Sequence, residues 1–92
     1  MKYAIQKTSQ FKKDFKLAIK RNCDIQKLQE IITILANGET LPELCFDHAL
    51  KGDYSGYREC HVEPDWLLVY KITESVLILT LYRTGTHSDL FK

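Results

Sequence analysis

No stretch of this chain is long and apolar enough to span a bilayer, which takes about 20 consecutive apolar residues as a helix. The opening residues, MKYAIQKTSQFKKDF, contain no apolar segment of the kind a secretory leader requires. Proline occurs twice and glycine four times in 92 residues, and no segment repeats, which excludes linkers, low-complexity tracts and solenoids. Three cysteines are too few and too odd in number for a disulfide framework in a chain without an export signal. There is no paired CxxC, no HExxH, no P-loop and no GxGxxG, so neither a structural zinc nor a nucleotide cofactor is indicated. What remains is a soluble, cytoplasmic protein with a single domain spanning residues 1–92 around one core.

Net charge is only +1, but its distribution is uneven. Residues 1–22 hold seven lysines and arginines against Asp14 alone, a local balance of +6 that leaves −5 for the rest of the chain. A basic segment on an otherwise acidic chain suits a polyanion, and it equally suits a solvated lysine face on a surface helix.

The apolar pattern sets out the elements. Residues 2–6 alternate weakly and suit a short strand. Thr8 or Ser9 can cap a helix carrying Phe11, Phe15 and Ala18 on one face, with the lysines mostly off it. Asn22 or Asp24 marks a break. Ile25, Leu28, Ile31, Ile32 and Leu35 then form a second stripe that ends at Asn37-Gly38. So short a link predicts an antiparallel helical hairpin. Residues 41–56 read as irregular. Strands follow over 57–63, 66–72 and 76–82, separated by turns at Pro64-Asp65 and Thr73-Glu74-Ser75. The tail GTHSDLF predicts a turn or short helix docked on the sheet. The order β-α-α-β-β-β defines an α+β fold, with the hairpin against one face of a mostly antiparallel sheet.

Three histidines, His48, His61 and His87, all lie in the second half. Imidazole has a reference pKa of about 6.5, suited to proton transfer near neutrality. Cleaving RNA by internal attack of the 2′-hydroxyl needs a base, an acid and a cation to steady the phosphate. Histidines, an aspartate and an arginine supply that kit. In the first long strand Tyr57, Glu59, His61 and Glu63 share one face, while Arg58, Cys60 and Val62 share the other. Arg83 alternates with the core-facing Leu77, Leu79 and Leu81, so its placement depends on a register shift at the strand end. Cys45-x-x-His48 and Cys60-His61 contain zinc-type ligands, but strand neighbours point apart, and no metal site is expected. Taken singly, each residue has a plainer reading: Asp65 is an ordinary turn residue, and Trp66 and Phe91 are core aromatics.

Two blocks go further. DHALKGDYSGYRECHVEPDWLLVYK (residues 47–71) and RTGTHSDLF (residues 83–91) resemble the signatures of the YafQ branch of the RelE/ParE toxin superfamily. The order of elements agrees over the whole chain. The resemblance implies a toxin of a type II toxin–antitoxin system: a ribosome-associated, metal-independent endoribonuclease that cleaves messenger RNA, uses no small-molecule cofactor, and is restrained by an antitoxin protein. It places His48, His61, Asp65, Arg83, His87 and Phe91 on active-site positions. His87 with His61 or Asp65 would be acid and base, Arg83 would hold the phosphate, and Phe91 would help place the substrate. Lys12, Lys13, Lys16, Lys20, Lys51 and Trp66 are the residues expected to meet ribosomal or messenger RNA. ParE-type relatives share the fold yet poison DNA gyrase without cutting RNA, and a degenerate relative would only bind its antitoxin. The retained histidine, aspartate and arginine kit favours the nuclease.

Overall fold

The computed structural model describes residues 1–91. Strand β1 (Ala4–Lys7) leads into helix α1 (Ser9–Lys20) and helix α2 (Ile25–Ala36). Strands β2 (His48–Ala49), β3 (Arg58–Glu63), β4 (Trp66–Thr73) and β5 (Ile78–Gly85) follow, and a short helix α3 (His87–Leu90) ends the series. The sheet order is β1-β5-β4-β3-β2. β1 runs parallel to β5, and the other neighbours are antiparallel.

Local chemistry fixes the helix ends. Thr8 is the cap of α1, its hydroxyl accepting from the Phe11 backbone N–H at 3.0 Å. Asn22 stops α1 in a left-handed conformation, φ 58°, which asparagine tolerates better than most residues. Asp24 caps α2 by accepting from the Lys27 N–H, and Gly38, at φ +76°, ends it. Between the helices and the sheet lies one core that includes Phe11, Leu28, Leu35, Cys60, Leu68 and Leu81. Each fully buried large apolar side chain there contributes about 1.5–3 kcal/mol of transfer free energy.

A smaller cluster sits on the opposite face of the sheet. Leu67 and Val69 of β4 are covered there by Leu90 of α3, with Leu50, Tyr57 and Tyr82 around them. Leu90 is the anchor that docks α3, as the tail pattern predicts.

The structure departs from expectation at several points, and β5 runs on to Gly85 rather than ending at 82, which puts Arg83 inside the strand. The last strand begins at Ile78 rather than 76, because the turn Glu74–Val76 runs on through Leu77, which is left-handed at φ 52°. Residues 48–49, read as irregular, pair with β3, an interaction too short to leave a periodic signal. A bulge lies between His61 and Glu63, so Glu63 pairs with Trp66 and turns toward α2, where Lys27 lies 3.9 Å away. Glu63 therefore does not share the face of His61.

Candidate active site

Alternation along β3 separates two sets of side chains. Cys60 and Val62 enter the core beneath the helices. Glu59 and His61 stand opposite Val69 and Leu67, on the face that carries α3. Cys60 and His61 therefore do not share a ligand sphere, and burial pushes the Cys60 thiol pKa far up.

His61 and His87 meet on this face. Their rings are 5.7 Å apart, centroid to centroid, in an edge arrangement at 61°. His87 is the first residue of α3, whose start is locked by a capping box between Thr86 and Asp89. Arg21 of α1 grips Asp89 at 2.7 Å. That bond, helped by the Thr86 backbone N–H, holds the Asp89 carboxyl at about 2. Gly85 makes room for this cap, because a Cβ there would come within 3.0 Å of the Asp89 side chain. Asp65, at the tip of the β3–β4 hairpin, accepts from His87 Nδ1 at 2.7 Å. The side-chain bond and a second bond from the His87 backbone draw the Asp65 carboxyl below its ordinary range.

His48 stands directly across from Glu59 in the β2–β3 pairing. Its Nδ1 contacts the Phe46 carbonyl at 2.7 Å, and its Nε2 lies 3.7 Å from Glu59 Oε1. His61 Nε2 lies 4.0 Å from the same oxygen. Glu59, 6% exposed, is thus the buried hub between two of the histidines. Sequence reasoning passed over it; the available signal was its place on the His61 face of the alternation. Phe46, left-handed at φ 48°, sets its ring 5.6 Å from His61.

Arg83 reaches this side through a second bulge. β5 pairs Leu81 with Tyr70 but Arg83 with Val69, so one extra residue flips the face of the strand. The guanidinium is held by Asp14 of α1 through Nε at 3.0 Å and Nη2 at 3.1 Å. Asp14 also accepts from the Thr84 backbone N–H at 3.2 Å. Phe91 packs its edge against Tyr54 at 5.3 Å, and Tyr54 leads to Tyr82 at 6.5 Å. His61, Asp65 and His87 are therefore together, His48 joins them through Glu59, and Arg83 and Phe91 are held by partners of their own.

Trp66 requires correction. It is 5% exposed, lies in the helix-side core, and donates its indole N–H to Thr84 Oγ1 at 2.9 Å. Buried in this way, it has no face to offer a base. Lys12, Lys13, Lys16, Lys20 and Lys51 are all exposed. At 100° per residue, the four on α1 fall within about a third of the helix circumference, away from Phe11 and Ala18.

A helical hairpin on one side of a mostly antiparallel sheet, with imidazoles and carboxylates on the other, defines a RelE-like α+β toxin domain. Residues 3–92 match the family described as the bacterial toxin of the type II toxin–antitoxin system, YafQ. The chain belongs to that family. It is 48% identical over 88 residues to the mRNA interferase toxin YafQ of Escherichia coli K12, covering 95% of this chain and 94% of that protein. The crystal structure of the E. coli DinJ–YafQ complex superposes with a TM-score of 0.90 at 46% identity, covering 98% of this chain and 99% of that one. A metal-bound toxin from Helicobacter pylori superposes with a TM-score of 0.91 at 39% identity, covering 97% and 99%. Among the described residues no helix is long and apolar enough to cross a membrane.

Proposed function

We propose that this protein is an mRNA interferase, the toxin of a type II toxin–antitoxin pair. The observation that carries this reading is the meeting of His61 and His87, 5.7 Å apart, with His87 oriented by Asp65. Two imidazoles at that spacing can flank a phosphodiester. One removes the proton of the 2′-hydroxyl, whose oxygen attacks the phosphorus. The other delivers a proton to the departing 5′-oxygen, leaving a 2′,3′-cyclic phosphate and a 5′-hydroxyl. A proton on His87 Nδ1 donates to Asp65 and leaves Nε2 for the transfer. Arg83 would hold the non-bridging oxygens with Asp14 fixing its fork, and Phe91 would support a neighbouring nucleotide. His48 would assist from beyond Glu59.

All the proton-transfer groups come from the chain, so the reaction proposed requires no metal. The lysine face of α1 and Lys51 would meet ribosomal and messenger RNA phosphates. The same basic surface suits the acidic segments of an antitoxin, and the relative's complex with DinJ supports a partner of that kind. Acting on translated messages, the protein would work in the cytoplasm. The gyrase-poisoning alternative is disfavoured, since blocking an enzyme by binding uses no oriented histidine pair.

Induction followed by mapping of new message ends tests this reading. Cuts inside reading frames, carrying 5′-hydroxyls and persisting in EDTA with purified components, are expected. Intact messages with blocked DNA supercoiling would overturn it.

A further inference from the structure

The segment between α2 and β2 sets one aromatic ring against the proposed site and leaves it in the open. Phe46 is 63% exposed, and among the described residues no aromatic side chain is more so. Its backbone is left-handed at φ 48°, closing the turn Glu43–Cys45. Glycine or asparagine ends a turn in this way with less strain. Phenylalanine takes the strain here and gains little burial in return, a pattern that points to a use outside the fold. The ring is held from both sides along the chain. The Phe46 N–H donates to the Glu43 carbonyl at 3.0 Å. The next residue, Asp47, accepts from the Tyr70 hydroxyl at 2.6 Å and from Arg58 Nε at 3.2 Å. So anchored, Phe46 meets two of the histidines: its carbonyl lies 2.7 Å from His48 Nδ1, and its ring stands 5.6 Å from that of His61 at 69°. Beside the ring opens a hollow of about 640 Å³, lined by the apolar Ile31, Ile34 and Val62 and sharing His61 as part of its wall. That volume lies within the range of about 300–1,000 Å³ typical of small-ligand sites.

We propose that Phe46 positions the substrate: its ring is the face on which the base of one nucleotide flanking the scissile phosphate stacks, with the hollow receiving that base. The proposal deepens the nuclease reading and rests on it. Continuity with His61 selects RNA as the occupant, because whatever fills the hollow touches an imidazole that would act on the phosphodiester. Every base offers a π-face, so stacking on an aromatic ring needs no hydrogen-bond match. Phe46, His61 and His87 form a row of rings 5.6 and 5.7 Å apart. A base held at the Phe46 end leaves its own phosphate over the imidazole pair. Phe91 lies outside this hollow, packed on Tyr54, so the two rings serve different nucleotides. Stacking is made when the message binds and is kept in the transition state, so it acts on KM rather than on kcat.

Steady-state cleavage of a defined message on ribosomes by the purified toxin tests this, with Phe46→Ala, Phe46→Leu and Phe46→Tyr as variants. The alanine and leucine variants should lose about tenfold or more in kcat/KM, chiefly through a higher KM, and the tyrosine variant should behave as the wild type. Leucine keeps an apolar contact without a ring face, so it separates stacking from packing and remains informative if Phe46→Ala fails to fold. Messages with the base removed at each nucleotide flanking the cut, one at a time, complete the test. At one position the wild type should lose the same factor and Phe46→Ala should lose nothing further. A leucine variant as active as the wild type, or a loss in Phe46→Ala that persists at every abasic position, overturns the platform. A fall in kcat with KM unchanged also overturns it and reduces the ring to a packing contact on His61. Unaltered cleavage by Phe46→Ala with weakened antitoxin binding overturns it as well, and assigns the ring to the antitoxin. In each of these outcomes the wild type still cuts. A wild type that cuts no message on ribosomes instead overturns the nuclease reading itself, and the platform falls with it.

Discussion

Asp65 Oδ1 accepts from His87 twice, from the ring Nδ1 at 2.7 Å and from the backbone N–H at 3.0 Å. One carboxylate at a hairpin tip thereby fixes both the start of α3 and the orientation of its first side chain. His87→Ala should remove the proposed proton-transfer group while leaving the fold. The pair is exposed, with side chains 54% and 68% accessible, so folding stability should change little. Cleavage should fall by about 10²–10⁴-fold, with antitoxin and ribosome binding retained. Thermal unfolding beside a cleavage assay checks both halves. Full activity in the variant would remove His87 from the mechanism, and inactivity through unfolding would make it a docking contact only.

Asp14 is 8% exposed and carries three hydrogen bonds from Arg83 and Thr84. Asp14→Ala should destabilise the protein by about 2–4 kcal/mol, since it strands a partly buried guanidinium and a buried N–H. Urea denaturation reads this as a lower midpoint with an unchanged slope. The same variant should slow cleavage by freeing Arg83 to wander. A midpoint within error of the wild type would show that water replaces Asp14 at no cost.

Acid should release α3 before the sheet. Asp89 is held at about 2, below its ordinary value of 3.8, chiefly by Arg21 and then by the Thr86 backbone. A depressed carboxyl stabilises the folded arrangement fully above the ordinary value, and that contribution is lost as pH falls through 2. On the order of 1–2 kcal/mol is involved after solvent screening. Asp65 is drawn below its ordinary range in the same direction, first by the His87 side chain, so acid also weakens its hold on His87. Protection factors at residues 86–90, taken against the intrinsic exchange rate at each pH, should therefore fall between about pH 4 and 2, and Asp89→Asn should show the lower protection already at neutral pH. Protection unchanged over that range would contradict this.

Charge reversal at Lys12, Lys13 and Lys16 should weaken ribosome association and flatten its dependence on salt. Each lost phosphate contact lowers the slope of log K against log salt by roughly 0.9 for duplex-like nucleic acid. Sedimentation with ribosomes across a salt series measures this. An unchanged slope would reduce the three lysines to a solvated helix face.

The two long helices were legible because caps and apolar spacing agree: Thr8 and Asp24 at their starts, Phe11 and Ala18 or Leu28 and Leu35 along their faces. β3, β4 and the docked tail were legible for the same local reasons. The features that make the site were harder to see. The flip of Arg83 comes from one extra residue in β5, and no residue type there marks a bulge. The burial of Glu59 is tertiary: a two-residue strand and the cover of α3 enclose a carboxylate that alternation alone leaves facing solvent. The parallel pairing of β1 with β5 joins segments more than seventy residues apart and leaves no trace in either one. The two signature blocks named the residues that the fold brings together, His61, Asp65 and His87, which no local rule grouped, while burial overrules the placement of Trp66 at an RNA surface.

The partnership of β1 with β5 also bears on how the toxin comes into being. β1 hydrogen-bonds along its length to a strand that follows it by five intervening elements and two loops. The ribosome delivers β5 and α3 after every other element. Until they emerge, β1 has no neighbour in the sheet, Asp14 has no guanidinium to hold, and His61 faces an empty surface where His87 will later stand. A chain without β5 and α3 therefore has neither the His61–His87 pair nor the Asp14–Arg83 pair. Both pairs wait on one long-range closure of the sheet, the kind of contact that forms slowly because its loop entropy is spent before its bonds are made.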